Sequence, residues 1–426
     1  MKPNGFYFLL LLVSAAALSA LFGCEDRVKF SNMAPSNLAL TPSKCYIQSG
    51  GTIMLVGKAH DDDGDSLTFS WMASAGSFAQ SSASGDTTFW HAPASPGRAT
   101  ITMTVTDDIT RRSMAQAITV CTPFPSPITG STTVANTGAV YILLNDAPLR
   151  VPAGATLTIE PGVTTVVDKV GGGLEVYGGL VVMGTPENRI KIQGNTCSVA
   201  SGLWGGIYLQ EASCAATFKN ADITMSNDGI KLSAGAKATI DSCEIYNNDF
   251  GVWVELVGSE ANIRSCKIWE NGLGIYVLNA KADIRRSSVR YSDGNGIELS
   301  FSLDATDVAI DSCTVANNGK SGIQLSEKAA PEIHYCSIFA NGSTPLEPNY
   351  GVMLASYTAT DSVHAEHNYW GLGNTTAAKI ATVIYDAHDN PSEINAFVRF
   401  APWLSSGPVT LAPVDERRVK GRAWAR

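Results

Sequence analysis

Charged residues are scarce in this chain of 426 residues. They make up 16% of it, with 30 Lys and Arg residues and 39 Asp and Glu residues, which gives a net charge of −9. No basic patch that could neutralise phosphates is present, so we expect no nucleic acid as a partner. The low charge stands beside 39 Gly and many small polar residues. This composition favours turn-rich β-structure over helices.

Long apolar runs are also absent, except for the one from Phe6 to Leu21. That run is short for a spanning helix and follows the basic Lys2, as in a signal peptide. Its ending, Leu21-Phe22-Gly23-Cys24, resembles the lipobox of bacterial lipoproteins. The resemblance implies removal of residues 1–23 and lipidation of Cys24. We therefore expect an exported protein, anchored by lipid to the outer membrane or cell surface, with the rest of the chain soluble.

Residues 24–36 are polar and unpatterned and are interpreted as a tether, whereas residues 37–121 alternate with a period of two. Leu67, Phe69 and Trp71, for example, alternate with Thr68 and Ser70. Such alternation predicts several short strands with one buried face, arranged as a small Ig-like β-sandwich.

Three phrases of this segment resemble the PKD-like and related Ig-like domains of surface proteins. They lie at residues 63–71, 89–93 and 104–108. The resemblance implies a spacer or adhesive module without catalysis.

A run of aspartates begins at Asp61 and includes Asp62, Asp63 and Asp65. An EF-hand loop needs Gly at its sixth position, but here the Gly is fourth. The sequence favours a solvated turn closed by Asx hydrogen bonds, and calcium remains the alternative. We predict no other metal or cofactor.

Internal repetition begins after a Pro-rich linker at residues 122–127 and continues to about residue 405. A Gly followed by apolar-x-apolar recurs every 22 to 29 residues, at Gly206, Gly229, Gly251, Gly274, Gly296, Gly322 and Gly351. No single coil of about 23 residues can bury its own apolar face, but stacked coils can. The Leu-x-x-Leu-x-Leu frame of leucine-rich repeats is missing, and a propeller blade would need about twice the period.

A second repeated element lies between the glycines. Four of its copies carry a cysteine in the same place: Cys243, Cys266, Cys313 and Cys336. In the coil between, Ser287 or Ser288 takes that place. Each element is followed by a polar residue in a fixed position: Asn248, Asn271, Ser292, Asn318 and Asn341. We expect the cysteines to stack as thiols in the core, and we expect no metal there because no His joins them. The asparagines should form a hydrogen-bonded ladder in turns that need the left-handed conformation, which Asn tolerates.

These repeats, with flanking passages at 154–163, 202–207 and 368–371, resemble the pectate-lyase-like superfamily. The resemblance implies an all-β chain in which a right-handed parallel β-helix with a C-terminal cap spans residues 128–405. Residues 406–426 are interpreted as a disordered tail. Fold alone does not predict activity, because this superfamily includes lyases, hydrolases, epimerases and inert scaffolds.

The residue between the two inward apolar residues of each repeat should point outward, which predicts an exposed column on one sheet. Aromatic rings there could stack on sugars while charged neighbours bond hydroxyls. The predicted ligand-binding residues are Tyr208, Lys231, Trp253, Tyr276, Glu255 and Glu298. Stacking that only stiffens the sheet face remains an alternative.

A catalytic alternative rests on two acidic residues of this face. Glu255 and Glu298 should lie two rungs apart, about 10 Å, which approaches the carboxyl separation of inverting glycosidases. The sequence has neither the acidic cluster with a basic residue that a lyase of the superfamily needs nor the adjacent-rung aspartates of its hydrolases.

The other cysteines suggest disulfides, since export means an oxidising compartment. Cys45 and Cys121 bracket the sandwich, and Cys197 and Cys214 flank a loop before the regular repeats. We predict one disulfide in each pair.

Together these features predict a monomeric, lipid-anchored envelope or surface protein whose non-catalytic β-helix binds glycan or other extracellular material. A polysaccharide lyase or hydrolase acting on an acidic polysaccharide is the first alternative. An inert structural or adhesive component is the second.

Overall fold

The computed structural model describes residues 32–79, 85–144, 148–168, 172–302, 307–342 and 350–407. The predicted signal segment, Cys24 and most of the predicted tail lie outside these residues. The first eight strands are β1 (Ser36–Pro42), β2 (Tyr46–Gln48), β3 (Thr52–His60), β4 (Thr68–Ala73), β5 (Ser77–Phe78), β6 (Thr87–His91), β7 (Gly97–Thr106) and β8 (Arg111–Pro123).

These strands form the predicted sandwich. One sheet has the order β1-β3-β6-β5, and the other contains β4, β7 and β8, with β2 paired to β8. Alternate residues of each strand point between the sheets, where Leu55, Trp90, Ile101 and Met103 are completely or almost completely buried. The period of two in the sequence therefore marks the buried face correctly.

Short strands are almost all of the regular secondary structure in the rest of the described chain. They are β9 (Thr132–Val134), β10 (Val140–Leu143), β11 (Leu149–Val151), β12 (Thr156–Ile159), β13 (Thr164–Val167), β14 (Gly173–Val176), β15 (Gly179–Met183), β16 (Ile190–Gly194), β17 (Trp204–Gln210), β18 (Ala215–Lys219), β19 (Ala221–Thr224), β20 (Ser226–Ser233), β21 (Lys237–Asp241), β22 (Glu244–Tyr246), β23 (Phe250–Glu255), β24 (Glu260–Arg264), β25 (Lys267–Trp269), β26 (Leu273–Leu278), β27 (Lys281–Arg285), β28 (Ser288–Arg290), β29 (Ile297–Phe301), β30 (Val308–Asp311), β31 (Thr314–Ala316), β32 (Ile323–Glu327), β33 (Glu332–His334), β34 (Ser337–Phe339), β35 (Val352–Tyr357), β36 (Val363–His364), helix α1 (Ala377–Ala381), β37 (Ile384–Tyr385) and β38 (Val398–Arg399).

These strands build three parallel sheets along one axis, as the repeat predicts. Sheet 1 contains β9, β12, β15, β18, β21, β24, β27, β30, β33, β36 and β38; sheet 2 contains β10, β13, β16, β19, β22, β25, β28, β31 and β34; sheet 3 contains β11, β14, β17, β20, β23, β26, β29, β32, β35 and β37. Like residues pair from coil to coil. One fully buried ladder of sheet 3 is Ile230, Val252, Ile275, Ile297, Ile323 and Val352.

The repeated glycines permit close approach of neighbouring coils. A Cβ added to Gly296 would lie 2.7 Å from the carbonyl oxygen of Gly322, and one added to Gly322 would lie 2.7 Å from that of Gly351. Any side chain at these positions would therefore press on the backbone of the next rung.

The predicted asparagine ladder is present and buried. The backbone N–H and the side-chain amide of Asn248 donate to Oδ1 of Asn271 at 3.0 and 3.1 Å, and Asn318 donates to Asn341 at 2.9 Å. Asn271 also donates to the carbonyl of Ile245. The ladder satisfies buried backbone groups at the corners, where sheet pairing ends.

The left-handed conformation belongs to the residue before each ladder position, so the prediction that placed it on the ladder asparagines is wrong. The residues with positive φ are Asn247, Glu270, Tyr291, Asn317 and Ala340. One left-handed residue makes the sharp corner, and the side chain that follows then points inward to reach its neighbours.

The junction between the modules is a continuous sheet. Thr122 and Pro123, at the end of β8, pair with Tyr141 and Ile142 of β10, so sheet 2 runs on into the sandwich. Phe124 is buried in the β-helix core. The segment predicted as a linker thus covers the first rung of the solenoid, whose strand edges and apolar interior would otherwise be open.

The disulfide joins the two modules, and both predicted pairings are wrong. Cys45 is bonded to Cys197, with a Cα–Cα distance of 5.2 Å. Cys121 and Cys214 are buried free thiols.

The continuous sheet explains this pairing. It brings the loop after β16 against β2, where the backbone N–H of Tyr46 donates to Asn195 at 3.2 Å and Asn195 donates back to the Tyr46 carbonyl at 2.8 Å. Cys121 pairs instead with Gln48, three residues along the strand from Cys45.

The cysteine column is confirmed as a stack of thiols. Cys243, Cys266, Cys313 and Cys336 are buried and free. Ser287, rather than Ser288, occupies the intervening rung, where its hydroxyl accepts from the N–H of Cys266 at 3.1 Å. Burial raises the thiol pKa of Cys243 and Cys336 well above the ordinary value.

The C-terminal end of the solenoid is covered by buried apolar residues of the predicted cap. Trp370, and Ile380 from helix α1, lie in the same core cluster as the apolar residues of the coils. Among the described residues, no helix has the length and hydropathy that crossing a membrane requires.

Candidate functional site

The predicted outward column lies on sheet 3, in the register expected from the repeat. We call it the outer column: Glu175, Tyr208, Lys231, Trp253, Tyr276, Glu298, Gln324 and Met353. These side chains are half-buried, whereas the residues on either side of each one are fully buried. Five of the six predicted ligand residues belong to this column, and Glu255 lies beside it at the end of β23.

Lys231 is held over Trp253. Its Nζ lies 3.5 Å from the centroid of the Trp253 ring and 3.2 Å from Oε1 of Glu255. A cation over an indole face is attracted by the ring quadrupole. One face of Trp253 is therefore already covered by the ammonium group.

Aromatic rings continue from Trp253 along the axis. Tyr276 lies 5.5 Å away between ring centroids and is tilted by 58°, and Phe250 lies 4.7 Å away. Sequence reasoning missed Phe250 because it precedes the Gly from which each repeat was counted. Nε1 of Trp253 is buried and has no hydrogen-bond partner within the described part of the chain.

Carboxylates surround these rings. Burial raises the pKa of Asp228, opposed by Lys231 nearby. Burial, together with Asp228, raises the pKa of Tyr208 to about 12. Burial and the charges of Glu298, Glu327 and Glu255 likewise raise the pKa of Tyr276. The carboxylates around these rings therefore outnumber the one nearby cation, Lys231.

The two candidate catalytic carboxylates have different partners. Glu298 accepts from Nδ2 of Asn295 at 2.8 Å, and the same amide donates to Gln324 at 3.2 Å. Glu255 pairs with Lys231. They lie two rungs apart, in neighbouring columns, as predicted. Asn295 was missed because it lies in the turn before β29, outside the repeat frame.

Another pair of rings lies on sheet 2. Tyr246 and Trp269 stack at 4.6 Å with an interplanar angle of 12°, and Trp269 is 3% exposed. This pair lies beside the ion pair of Lys267 and Glu244 and on a different sheet from the outer column, so it serves as an internal comparison for an aromatic stack elsewhere on the β-helix.

Comparisons with known proteins divide the chain in the same way. The PKD domain matches residues 37–120, and the right-handed β-helix region matches residues 179–370. No curated protein matches the chain. Among solved structures, the Azotobacter vinelandii mannuronan C-5 epimerase AlgE6 A-module is similar over 66% of this chain and 92% of its own, with 12% identity and a TM-score of 0.36. A likeness at that level carries no argument about activity. The chain therefore contains a PKD domain followed by a right-handed β-helix region.

Proposed function

We propose that this is an exported, lipid-anchored envelope protein whose β-helix binds glycan at the outer column. The observation that carries the proposal is the cluster of Trp253, Tyr276 and Phe250, bordered by Lys231 and by carboxylates. Aromatic rings supply apolar contact area for sugar C–H groups, and flanking polar groups bond hydroxyls.

The geometry defines how a sugar would meet this cluster. Lys231 covers one face of Trp253, and Tyr276 tilts against it. A glycan would therefore contact the outer edges of the rings and the flanking carboxylates of Glu255 and Glu298. A long chain lying along the axis would cross several rungs and repeat the same weak contact.

The charge of this surface favours a class of glycan. Glu175, Asp228, Glu255, Glu298 and Glu327 lie on or beside the column, and Lys231 is already paired with Glu255. Like charges disfavour a polyuronate here. Neutral or amino-sugar polymers fit the surface better.

The anchor is part of the same proposal. The motif ending at Cys24 supports lipidation, and the PKD domain would hold the β-helix away from the membrane as a spacer. Replacement of Cys24 by Ala should move the protein from the membrane to the soluble fraction. Intact-mass measurement should find acyl chains on the wild type, and an unmodified mature wild type would rule out the anchor.

Co-sedimentation tests the glycan proposal. The purified chain is mixed with insoluble cellulose, chitin or chitosan, and its retention on gel-embedded polygalacturonate is compared. Trp253→Ala and Tyr276→Ala should each weaken retention about tenfold or more, as expected for loss of an aromatic anchor. The matched control is Tyr246→Ala, which removes a stacked ring from sheet 2. Equal loss in the control, or none in the first two variants, would contradict the proposal.

The same incubations test for catalysis. If the outer column only binds, no new reducing ends and no unsaturated products should accumulate on any polymer. Products that disappear in Glu298→Gln would instead establish the enzymatic alternative.

A further inference from the structure

The turn between β3 and β4 gathers three carboxylates away from the outer column. Asp61, Asp63 and Asp65 each offer a carboxylate oxygen, and these atoms lie within 4.8 Å of one another. Oδ1 of Asp61 accepts from the backbone N–H groups of Asp63 and Asp65 at 3.3 and 3.1 Å. These bonds form the predicted Asx turn and account for one oxygen of Asp61.

The other oxygen of Asp61 has no such explanation. Asp61 is only 8% exposed, and its Oδ2 is buried without a hydrogen-bond partner in the described part of the chain. A buried carboxylate oxygen without a partner is costly, and native proteins leave few of them.

The described residues around this turn provide no compensating lysine or arginine. Within the described residues, no Lys or Arg forms an ion pair with Asp61, Asp63 or Asp65, and the one ion pair of this turn joins His60 to Asp62. Asp107, which is 4% exposed, adds a further negative charge close to Asp63.

We propose that Asp61, Asp63 and Asp65 form a site for a divalent cation, with calcium as the preferred ion. An all-oxygen set of carboxylates, completed by water, suits a hard cation, and calcium accepts flexible geometry where magnesium does not. With three protein carboxylates, the affinity expected is that of extracellular modules, a Kd of about 10⁻⁴ to 10⁻³ M.

The site lies where the chain enters the PKD domain. The backbone N–H of Met33 donates to Oδ2 of Asp63 at 2.9 Å, and Asn32 donates to Oδ2 of Asp107 at 2.8 Å. A cation that fixes the Asp63 side chain therefore also fixes the first described residues of the chain. Calcium would join the predicted tether firmly to the PKD domain.

Calcium titration of the purified chain tests the site. Isothermal titration calorimetry after chelator treatment should give one site in the stated range, with weaker binding of magnesium. Asp61→Asn and Asp63→Asn should each weaken calcium binding at least tenfold. Asp62→Asn is the matched control, because it removes one charge from the same turn but leaves the three proposed ligands intact.

Thermal melts distinguish loss of a ligand from loss of folding. In chelator, Asp61→Asn should melt no lower than wild type, because Asn keeps Oδ1 and removes the repulsion from Asp63. In calcium, the wild type should melt several degrees higher than it does in chelator, and the variant should not respond. The assignment would be overturned if calcium gave no heat of binding, or if all variants bound calcium equally. Equal affinity for magnesium and calcium would also overturn it.

Discussion

The PKD domain and the β-helix bury apolar residues in opposite ways. The PKD core is built of unlike side chains used once, such as Trp71, Trp90 and Met103. The β-helix core is built of the same aliphatic residues repeated from rung to rung. The first core therefore depends on individual fits, whereas the second depends on a register that every coil reinforces.

The buried polar residues show the same contrast between unique positions in the PKD domain and repeated positions in the β-helix. In the β-helix, Asn248 donates to Asn271 and Asn318 donates to Asn341 along the axis. In the PKD domain, Asp61 and Asp107 are buried in single turns and bond within them. A repeated polar residue can take its partner from the next copy of itself, but a unique one needs a dedicated partner.

The largest effect should come from a unique residue of the PKD core. Trp90 is fully buried, and its Nε1 donates to the carbonyl of Ala75 at 3.0 Å. Trp90→Ala should cost about 3–5 kcal/mol, whereas Ile275→Val in the β-helix should cost about 0.5–1.5 kcal/mol. Hydrogen exchange followed by mass spectrometry should find lost protection confined to the PKD domain. Equal loss throughout the β-helix would show that the two cores unfold as one.

The disulfide tests how firmly the two regions are joined. Cys45→Ser removes a crosslink that spans 152 residues, and it should cost about 2–5 kcal/mol. The variant should unfold its PKD domain at a lower temperature and should not respond to reductant. Cys121→Ser is the control, because Cys121 is a buried free thiol and its variant should still respond. Thiol titration in denaturant should find the six described free cysteines; eight would mean that the crosslink is absent.

The asparagine ladder tests cooperation between coils. Asn318→Ala would leave the N–H of Ser292 and the carbonyl of Val289 without their partner, at about 1–3 kcal/mol for each buried group. Ser292→Asn should stabilise the helix by about 1 kcal/mol, because it completes the ladder. Urea denaturation followed by circular dichroism measures both. Asn262→Ala, at a half-buried outward position of β24, is the control and should cost less, because its side-chain amide lies 3.5 Å from the Glu260 carboxylate and not against the buried backbone groups of the ladder.

The smallest effect should distinguish the regions by their pH dependence. Hydrogen bonds, that from the Thr110 N–H first, hold the pKa of Asp107 below its ordinary 3.8. Its stabilisation is therefore present above pH 3.8 and is lost as pH falls towards the lowered pKa. Burial raises the pKa of Asp228, so its contribution is greatest below pH 3.8 and is lost as pH rises through the raised pKa.

Calorimetric melts in chelator compare the two aspartates. At pH 7, Asp107→Asn should lower the melting temperature of the PKD domain, and Asp228→Asn should raise that of the β-helix. Both differences should shrink below pH 3.8. Differences of the same sign would show that the two carboxylates share one kind of environment.

Prediction from sequence succeeded wherever a residue repeats. The outer column, the stacked thiols and the ladder asparagines follow from spacing alone, because each coil lies on an equivalent coil in register. The pattern also brought Trp253 next to Tyr276 correctly. It could not reveal that Lys231 covers the Trp253 ring or that Asn295 holds Glu298, because those contacts depend on side-chain direction and on a turn outside the repeat.

The sequence by itself therefore determined the parallel β-helix, through the period of its repeat. It also determined the strands of the PKD domain, through their alternation of apolar and polar residues. Only the tertiary structure decided that β8 runs into sheet 2, that Cys45 is bonded to Cys197, and that Asn32 donates to Asp107. The physical reason is the same in each case. A local pattern specifies which face of a strand is buried, but a contact between distant, non-repeating segments depends on how the modules dock.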